Sequence, residues 1–144
     1  MSDAGANVST NTARPPLGGV LETVLYYDDQ DAAERFYSDV LGMRLLGKEP
    51  GRSLFYRAGP SVYLLFDAKL TEVAGRLPPH GARGCIHTCF VVARADYERW
   101  KRYLVEQGVE VISEVEWPRD GQSFYFHDPA GNLLEIANQD IWPE

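Results

Sequence analysis

The sequence predicts an α+β fold made of two βαβββ modules. Three observations carry that prediction. Two amphipathic helical stretches, "DAAERFYSDVLG" and "ADYERWKRYLVEQG", each follow a β-rich run and precede three short strand-like segments. The stops of the two helices, Gly42 and Gly108, lie 66 residues apart, and Glu22 and His87 in the preceding runs lie 65 apart, so one offset superposes both halves. The chain of 144 residues is long enough for one domain with a sizeable core, or for two small modules that share one.

The elements follow in order. Residues 1–18 are small and polar and end in Pro-Pro and Gly-Gly, which predicts a flexible leader. The first module spans residues 19–75. Its opening run "GVLETVLYYDD" suits a strand with both faces covered. In the helix that follows, Ala33, Phe36, Tyr37, Val40 and Leu41 keep helical spacing, with Asp29 or Asp31 as N-cap and Gly42 as stop. "MRLLGKE", "SLFYRAG" and "SVYLLFD" complete the module, separated by turns at Pro50-Gly51 and Gly59-Pro60. The second module spans residues 83–142 and opens with "GCIHTCFVV". Asp96 is expected to cap its helix, which sets Tyr97, Trp100 and Leu104 on one face, and the strands "VEVISEVE", "QSFYFHD" and "GNLLEIAN" follow. The helix aromatics Phe36, Tyr37, Trp100 and Tyr103 are assigned to the core.

Composition excludes several function classes. Against 14 Lys and Arg stand 21 Asp and Glu, a formal charge of -7 that repels nucleic acid and anionic membrane surfaces. No segment approaches the roughly 20 apolar residues of a membrane span, and residues 1–18 lack the apolar stretch of a secretory signal. Cys85 and Cys89 lie four residues apart on one strand, too far to bridge, and read as small buried thiols on the His87 face. The expectation is a cytoplasmic protein acting on a small molecule.

One residue resists a structural explanation. Glu135 sits in the apolar run of "GNLLEIAN", where an ionised carboxylate needs a partner, a proton or a metal. The internal offset sets Glu22 and His87 at equivalent places in the two first strands. In the final strands of the two modules, offsets of 70 or 71 set Glu135 opposite Leu65 or Leu64, so the fourth equivalent position holds no ligand whichever register applies. Trp117 and Arg119 of "EWPRDGQ" precede the strand leading to Glu135, and loops of that kind shape pockets. Arg119 is suited to an anionic group, and Tyr56, Arg57, Tyr125 and His80 are further candidates for a cavity or lid.

The stretches "LETVLYYDDQDAAERFYSDVLGM", "HTCFVV" and "WPRDGQSFYFHDPAGNLLEI" together resemble the vicinal oxygen chelate superfamily, which includes glyoxalase I, fosfomycin-resistance proteins, extradiol dioxygenases and bleomycin-resistance proteins. The resemblance implies that each module curls into a half barrel, giving a paired, glyoxalase-like half-barrel fold. It implies metal ligands at Glu22, His87 and Glu135. Two departures stand out: Glu22 replaces the usual histidine, and leucine replaces the fourth ligand of glyoxalase I.

The function implied is that of a divalent-metal-dependent enzyme acting on a small oxygen-chelating substrate, with isomerase or lyase chemistry through a metal-stabilised enediolate. Glu22 or Glu135 is the catalytic base. Arg119, Trp117, Tyr56 and Tyr125 are the substrate-binding set. Two carboxylates and one imidazole suit Mn, Fe or Mg, while Zn, Co and Ni also accept that set. An extradiol dioxygenase fits less well, since that chemistry uses two histidines, and an epoxide-opening resistance enzyme lacks a basic cluster for a phosphonate. The alternative from another class is a drug-binding protein of bleomycin-resistance type that needs no metal. The resemblance also implies a homodimer, with Trp142 as a tail anchor.

Overall fold

The computed structural model describes residues 14–139 and 141–143. Most of the predicted leader, residues 1–13, lies outside the described residues.

Asp29, three residues after the first strand ends at Tyr26, starts the first helix. Its backbone is extended and its side chain accepts from the Ala32 N–H at 2.8 Å, which satisfies one of the orphan donors of the first turn. Helix α1 (Gln30–Glu34) then widens into a π-helical segment, Arg35–Val40. The Leu41 N–H reaches back to the Phe36 carbonyl at 2.9 Å, the five-residue spacing of a π turn. Gly42 leaves the helix with φ of 69° and Gly108 leaves the second helix with φ of 83°, a left-handed region that glycine enters without steric cost.

The first module comprises β1 (Glu22–Tyr26), α1, β2 (Arg44–Glu49), β3 (Ser53–Ala58) and β4 (Ser61–Phe66). The second comprises β5 (His87–Val92), a helix α3 (Tyr97–Glu106), β6 (Ser113–Trp117), β7 (Gly121–His127) and β8 (Leu133–Asn138). A short helix α2 (Ala68–Thr71) lies in the connection. The sheets have the orders β1-β4-β3-β2 and β5-β8-β7-β6, with β1 parallel to β4 and β5 parallel to β8. The two sheets repeat one topology, as the internal offset predicts, and the fold is α+β with paired βαβββ modules.

Each sheet has one face in the core and one open face. Leu25, Leu54, Tyr56, Tyr63 and Leu65 of the first sheet pack with Phe124, Phe126, Leu134 and Ile136 of the second around Phe36, Tyr37, Tyr97 and Leu104 of the helices. The helix aromatics are therefore core or core-flanking, as expected. Alternate residues point the other way. Glu22, Val24, Val62, Leu64 and Arg57 share the open face of the first sheet, and His87, Cys89, Glu135, Tyr125 and Ser123 that of the second.

The structure corrects several expectations. Strand β1 is not covered on both faces: Glu22 is exposed and only Leu25 is buried within it. Its core face alone meets the helices. Asp96 holds the N-cap position of α3, as expected, but its side chain makes no capping hydrogen bond. A 3-10 turn, Arg94–Asp96, precedes the helix, and the Asp96 side chain pairs with Arg99 at 2.6 Å. Strand β6 starts only at Ser113, β5 only at His87, and both Cys85 and Cys89 are exposed rather than buried. Among the described residues no helix is long and apolar enough to cross a membrane.

Candidate functional site

Sheet register assembles a polar group on the open face of the second module. Glu135 in β8 is the register partner of Cys89 on one side and of Tyr125 on the other. His87, two residues before Cys89, lies diagonally across from it. Glu135 is only 5% exposed, and its Oε2 lies 3.1 Å from His87 Nε2. The partner that a buried carboxylate requires is thus His87, brought close by the parallel pairing of β5 and β8.

The other ring nitrogen fixes the state of this contact. His87 Nδ1 lies 2.9 Å from the Leu133 carbonyl oxygen. A carbonyl only accepts, so Nδ1 carries the hydrogen and donates. Nε2 then presents its lone pair to the Glu135 carboxylate unless a proton or a metal ion stands between them. An imidazole nitrogen oriented by a hydrogen bond from its opposite nitrogen is the usual arrangement of a metal-binding histidine. The donor set, imidazole nitrogen with carboxylate oxygen, suits a divalent ion of the first transition row. The residues present fit such a group.

The neighbours of Glu135 respond to its charge. Desolvation, with the nearby Glu135 carboxylate second, pushes the Cys89 thiol up to about 12. Tyr125 is also raised, first by desolvation and further by Glu135, against an opposing hydrogen bond from Ser123. Burial and the carboxylate both act to favour the protonated form of each group. The Tyr125 ring stacks on the His87 ring with centroids 6.0 Å apart, which limits the imidazole's rotation.

Glu22 is not part of this group. Among the described residues no three His, Cys, Asp or Glu side chains converge as a metal-ligand set within one chain. Glu22 lies at the first residue of β1, exposed on the open face of the other sheet. The fourth position is Leu64. Cys89 pairs with Glu135 as Val24 pairs with Leu64, and Val24 is the residue 65 positions before Cys89, so Leu64 and not Leu65 corresponds to Glu135.

The remaining site residues separate. Tyr125 and Trp117 share the open face with Glu135. Trp117 is 39% exposed, and its indole N–H donates to the Ser123 hydroxyl at 2.8 Å. Arg119 lies beyond β6 in a turn where it and Asp120 have φ of 62° and 61°, and its guanidinium reaches the Ile141 carbonyl at 3.4 Å. Tyr56 is not brought to the site: it is fully buried on the core face of β3, its hydroxyl 3.0 Å from that of Ser38. His80 accepts or donates at 2.8 Å to the Tyr26 hydroxyl. Two contributors were not singled out from sequence, the Leu133 carbonyl that orients His87 and the Ser123 hydroxyl that holds Trp117. Only Ser123 had a signal, its spacing of two from Tyr125 on an alternating strand.

Comparison with known proteins agrees with this architecture. Residues 19–136 match the family model of the glyoxalase/bleomycin resistance protein/dioxygenase superfamily. A lactoylglutathione lyase from Agrobacterium tumefaciens is 36% identical with a TM-score of 0.86, over 90% of this chain and 100% of its own. A glyoxalase-related enzyme from Fulvimarina pelagi is 25% identical with a TM-score of 0.68, over 88% of this chain and 92% of its own. A fosfomycin resistance protein from Mesorhizobium loti shares the fold at 19% identity and a TM-score of 0.63, over 88% of this chain and 96% of its own. With two βαβββ modules, matching order and a family model that covers most of its length, the chain belongs to the glyoxalase/bleomycin resistance protein/dioxygenase superfamily.

Proposed function

We infer that the chain is a divalent-metal-dependent enzyme that acts on a small oxygen-bearing substrate by isomerase or lyase chemistry. The observation that carries this reading is the His87–Glu135 pair: an imidazole oriented by the Leu133 carbonyl, with its Nε2 3.1 Å from an oxygen of a buried carboxylate. The 36% identity to a protein described as a lactoylglutathione lyase supports the same reaction class. When bound, the ion supplies Lewis-acid polarisation of substrate oxygen. His87 and Glu135 hold it from one chain.

Glu22 supplies the third ligand from a second copy of the chain. Within one chain it stays apart from His87 and Glu135, and parts of both open faces are exposed, Glu22 on the first sheet and Val91 of β5, 70% exposed, on the second. Pairing the open face of one copy's first module with the open face of the other's second module covers both and gives two equivalent sites by two-fold symmetry. Glu22 makes no hydrogen bond or ion pair with other described residues, so it is the freer of the two carboxylates, and we assign proton transfer to it. Tyr125 and Trp117 line the substrate side, with Arg119 at the rim. The two unpaired thiols suit the cytoplasm.

A second reading, a drug-binding protein that needs no metal, draws on Leu64 at the fourth ligand position. Metal analysis of gently purified protein separates them. The enzyme reading expects one divalent ion per chain, lost in a His87→Ala, Glu135→Ala double variant, and turnover in a panel of dicarbonyl thioesters, catechols and epoxides. No bound ion under metal supplementation, together with unchanged small-molecule binding in the double variant, overturns it in favour of the binding protein.

A further inference from the structure

One row of register partners crosses the open face of the first sheet: Glu22, Val62, Arg57, Arg44. Register partners carry their side chains on the same face, so the two arginines stand side by side and share a face with Glu22. At a strand spacing of about 4.8 Å, the backbones of Arg57 and Arg44 lie about 10 and about 14 Å along the sheet from that of Glu22. A bulge between Leu45 and Gly47 interrupts the register next to Arg44, the kind of irregularity that re-aims side chains.

Like charges directly opposite one another destabilise an antiparallel pair. This chain has acids to spare, and five of its other bases use them. Lys48 pairs with Glu34, Arg52 with Glu49, Arg83 with Glu72, Arg99 with Asp96, and Lys101 with Glu98 and Glu114. Among the described residues no carboxylate forms an ion pair with Arg44 or Arg57. The pair makes one hydrogen bond, a long one of 3.5 Å from Arg57 Nη1 to the Ser61 carbonyl. Both arginines line a cavity of about 630 Å³ whose other walls include Met43, Val62, Val91 and Trp100. Two unneutralised guanidinium groups beside an apolar cavity match a ligand with an anionic end and an apolar body.

We propose that Arg44 and Arg57 together bind a carboxylate of the substrate, whose apolar body occupies the adjoining cavity and whose reacting end extends toward Glu22. The proposal rests on the reading that the face carrying Glu22 belongs to the reaction site. It narrows the substrate to a small amphipathic carboxylate.

The test titrates 2-naphthoate and its neutral analogue 2-naphthamide into the full-length protein, by calorimetry and by NMR of the arginine side-chain N–H groups. The proposal expects 2-naphthoate to shift the Arg44 and Arg57 signals and to bind at least tenfold more tightly than the amide. It expects at least tenfold weaker 2-naphthoate binding in Arg44→Gln, Arg57→Gln, and unchanged binding in His87→Ala, Glu135→Ala. A thermal melt verifies the arginine variant, which should be no less stable than the parent because it loses a like-charge contact. Equal affinity for acid and amide, or undiminished acid binding by the arginine variant, overturns the proposal. Binding that instead disappears with His87 and Glu135 also overturns it while leaving the metal-site reading intact. Binding that follows the arginines in a protein that takes up no metal supports the anion site and removes the metalloenzyme reading.

Discussion

Tyr37, in the helix of the first module, donates a hydrogen bond of 2.7 Å to the Asp128 carboxylate in the last turn of the second. Both residues are buried. Asp128 also accepts from the N–H groups of Ala130 and Asn132 and from the Asn132 amide, and that amide donates to the Tyr26 carbonyl on β1 at 3.0 Å. The "DPAGN" turn therefore clasps the two modules together, and its role is structural. Removing one partner from a buried hydrogen bond costs about 1–3 kcal/mol. Tyr37→Phe is expected to lose stability within that range in urea unfolding, and Asp128→Ala to lose more, because it strands several donors at once. Unchanged unfolding midpoints in both variants rule out the clasp.

Alkaline pH acts on the same region. Burial pushes the Tyr63 phenol up to about 12 from an ordinary value near 10, and desolvation raises Tyr37 in the same direction. The folded state holds these protons more tightly than the unfolded state does. The associated stability is fully present below about pH 10 and is lost as pH rises toward 12, on the order of 2–3 kcal/mol for Tyr63 alone. Tyr63→Phe should flatten the decline of the melting temperature over that window. A decline as steep as the parent's assigns the alkaline sensitivity to other groups.

A site shared between two copies is testable by mixing. Glu22→Gln and His87→Ala proteins each lack a ligand in every site. Refolded together at equal concentration, random pairing makes about half the dimers mixed, and each mixed dimer regains one intact site, so about one quarter of the parent's bound metal returns. Metal content that stays at the level of the separate variants places Glu22 outside the shared site.

Cys89 offers a probe of the Glu135 charge. Its thiol is held near 12 by desolvation first and by the adjacent carboxylate second, and the thiolate is the reactive form. In a Cys85→Ser background, iodoacetamide labelling of Cys89 at pH 8 should be slow, and Glu135→Gln should accelerate it severalfold by removing the negative charge. Equal rates show that the carboxylate does not act on the thiol.

Much of this molecule was legible from local pattern. Helical spacing identified Phe36, Tyr37, Tyr97 and Leu104 as core, because a helix displays its buried stripe within a few turns. The repeat of helix stops and first strands revealed two modules, and the intrusion of Glu135 into "LLEIA" marked a site without any tertiary knowledge. The alternating strand "QSFYFHD" put Tyr125 opposite the apolar Phe124 and Phe126. In "SLFYRAG", by contrast, the aromatic residues Phe55 and Tyr56 fall on opposite faces, so aromatic content alone did not decide which of them turns inward.

Sequence by itself determined the two-module α+β architecture, the helices that build its core and the three residue types that suit a metal. Only the tertiary structure decided which partners those residues meet. Strand register is set by pairing between segments distant in the chain, and a slip of one residue exchanges the faces of a strand. That pairing selected Leu64 over Leu65 and placed Arg57 beside Arg44. It also brought His87 to Glu135 across the parallel β5 and β8 pair while leaving Glu22 on a separate sheet.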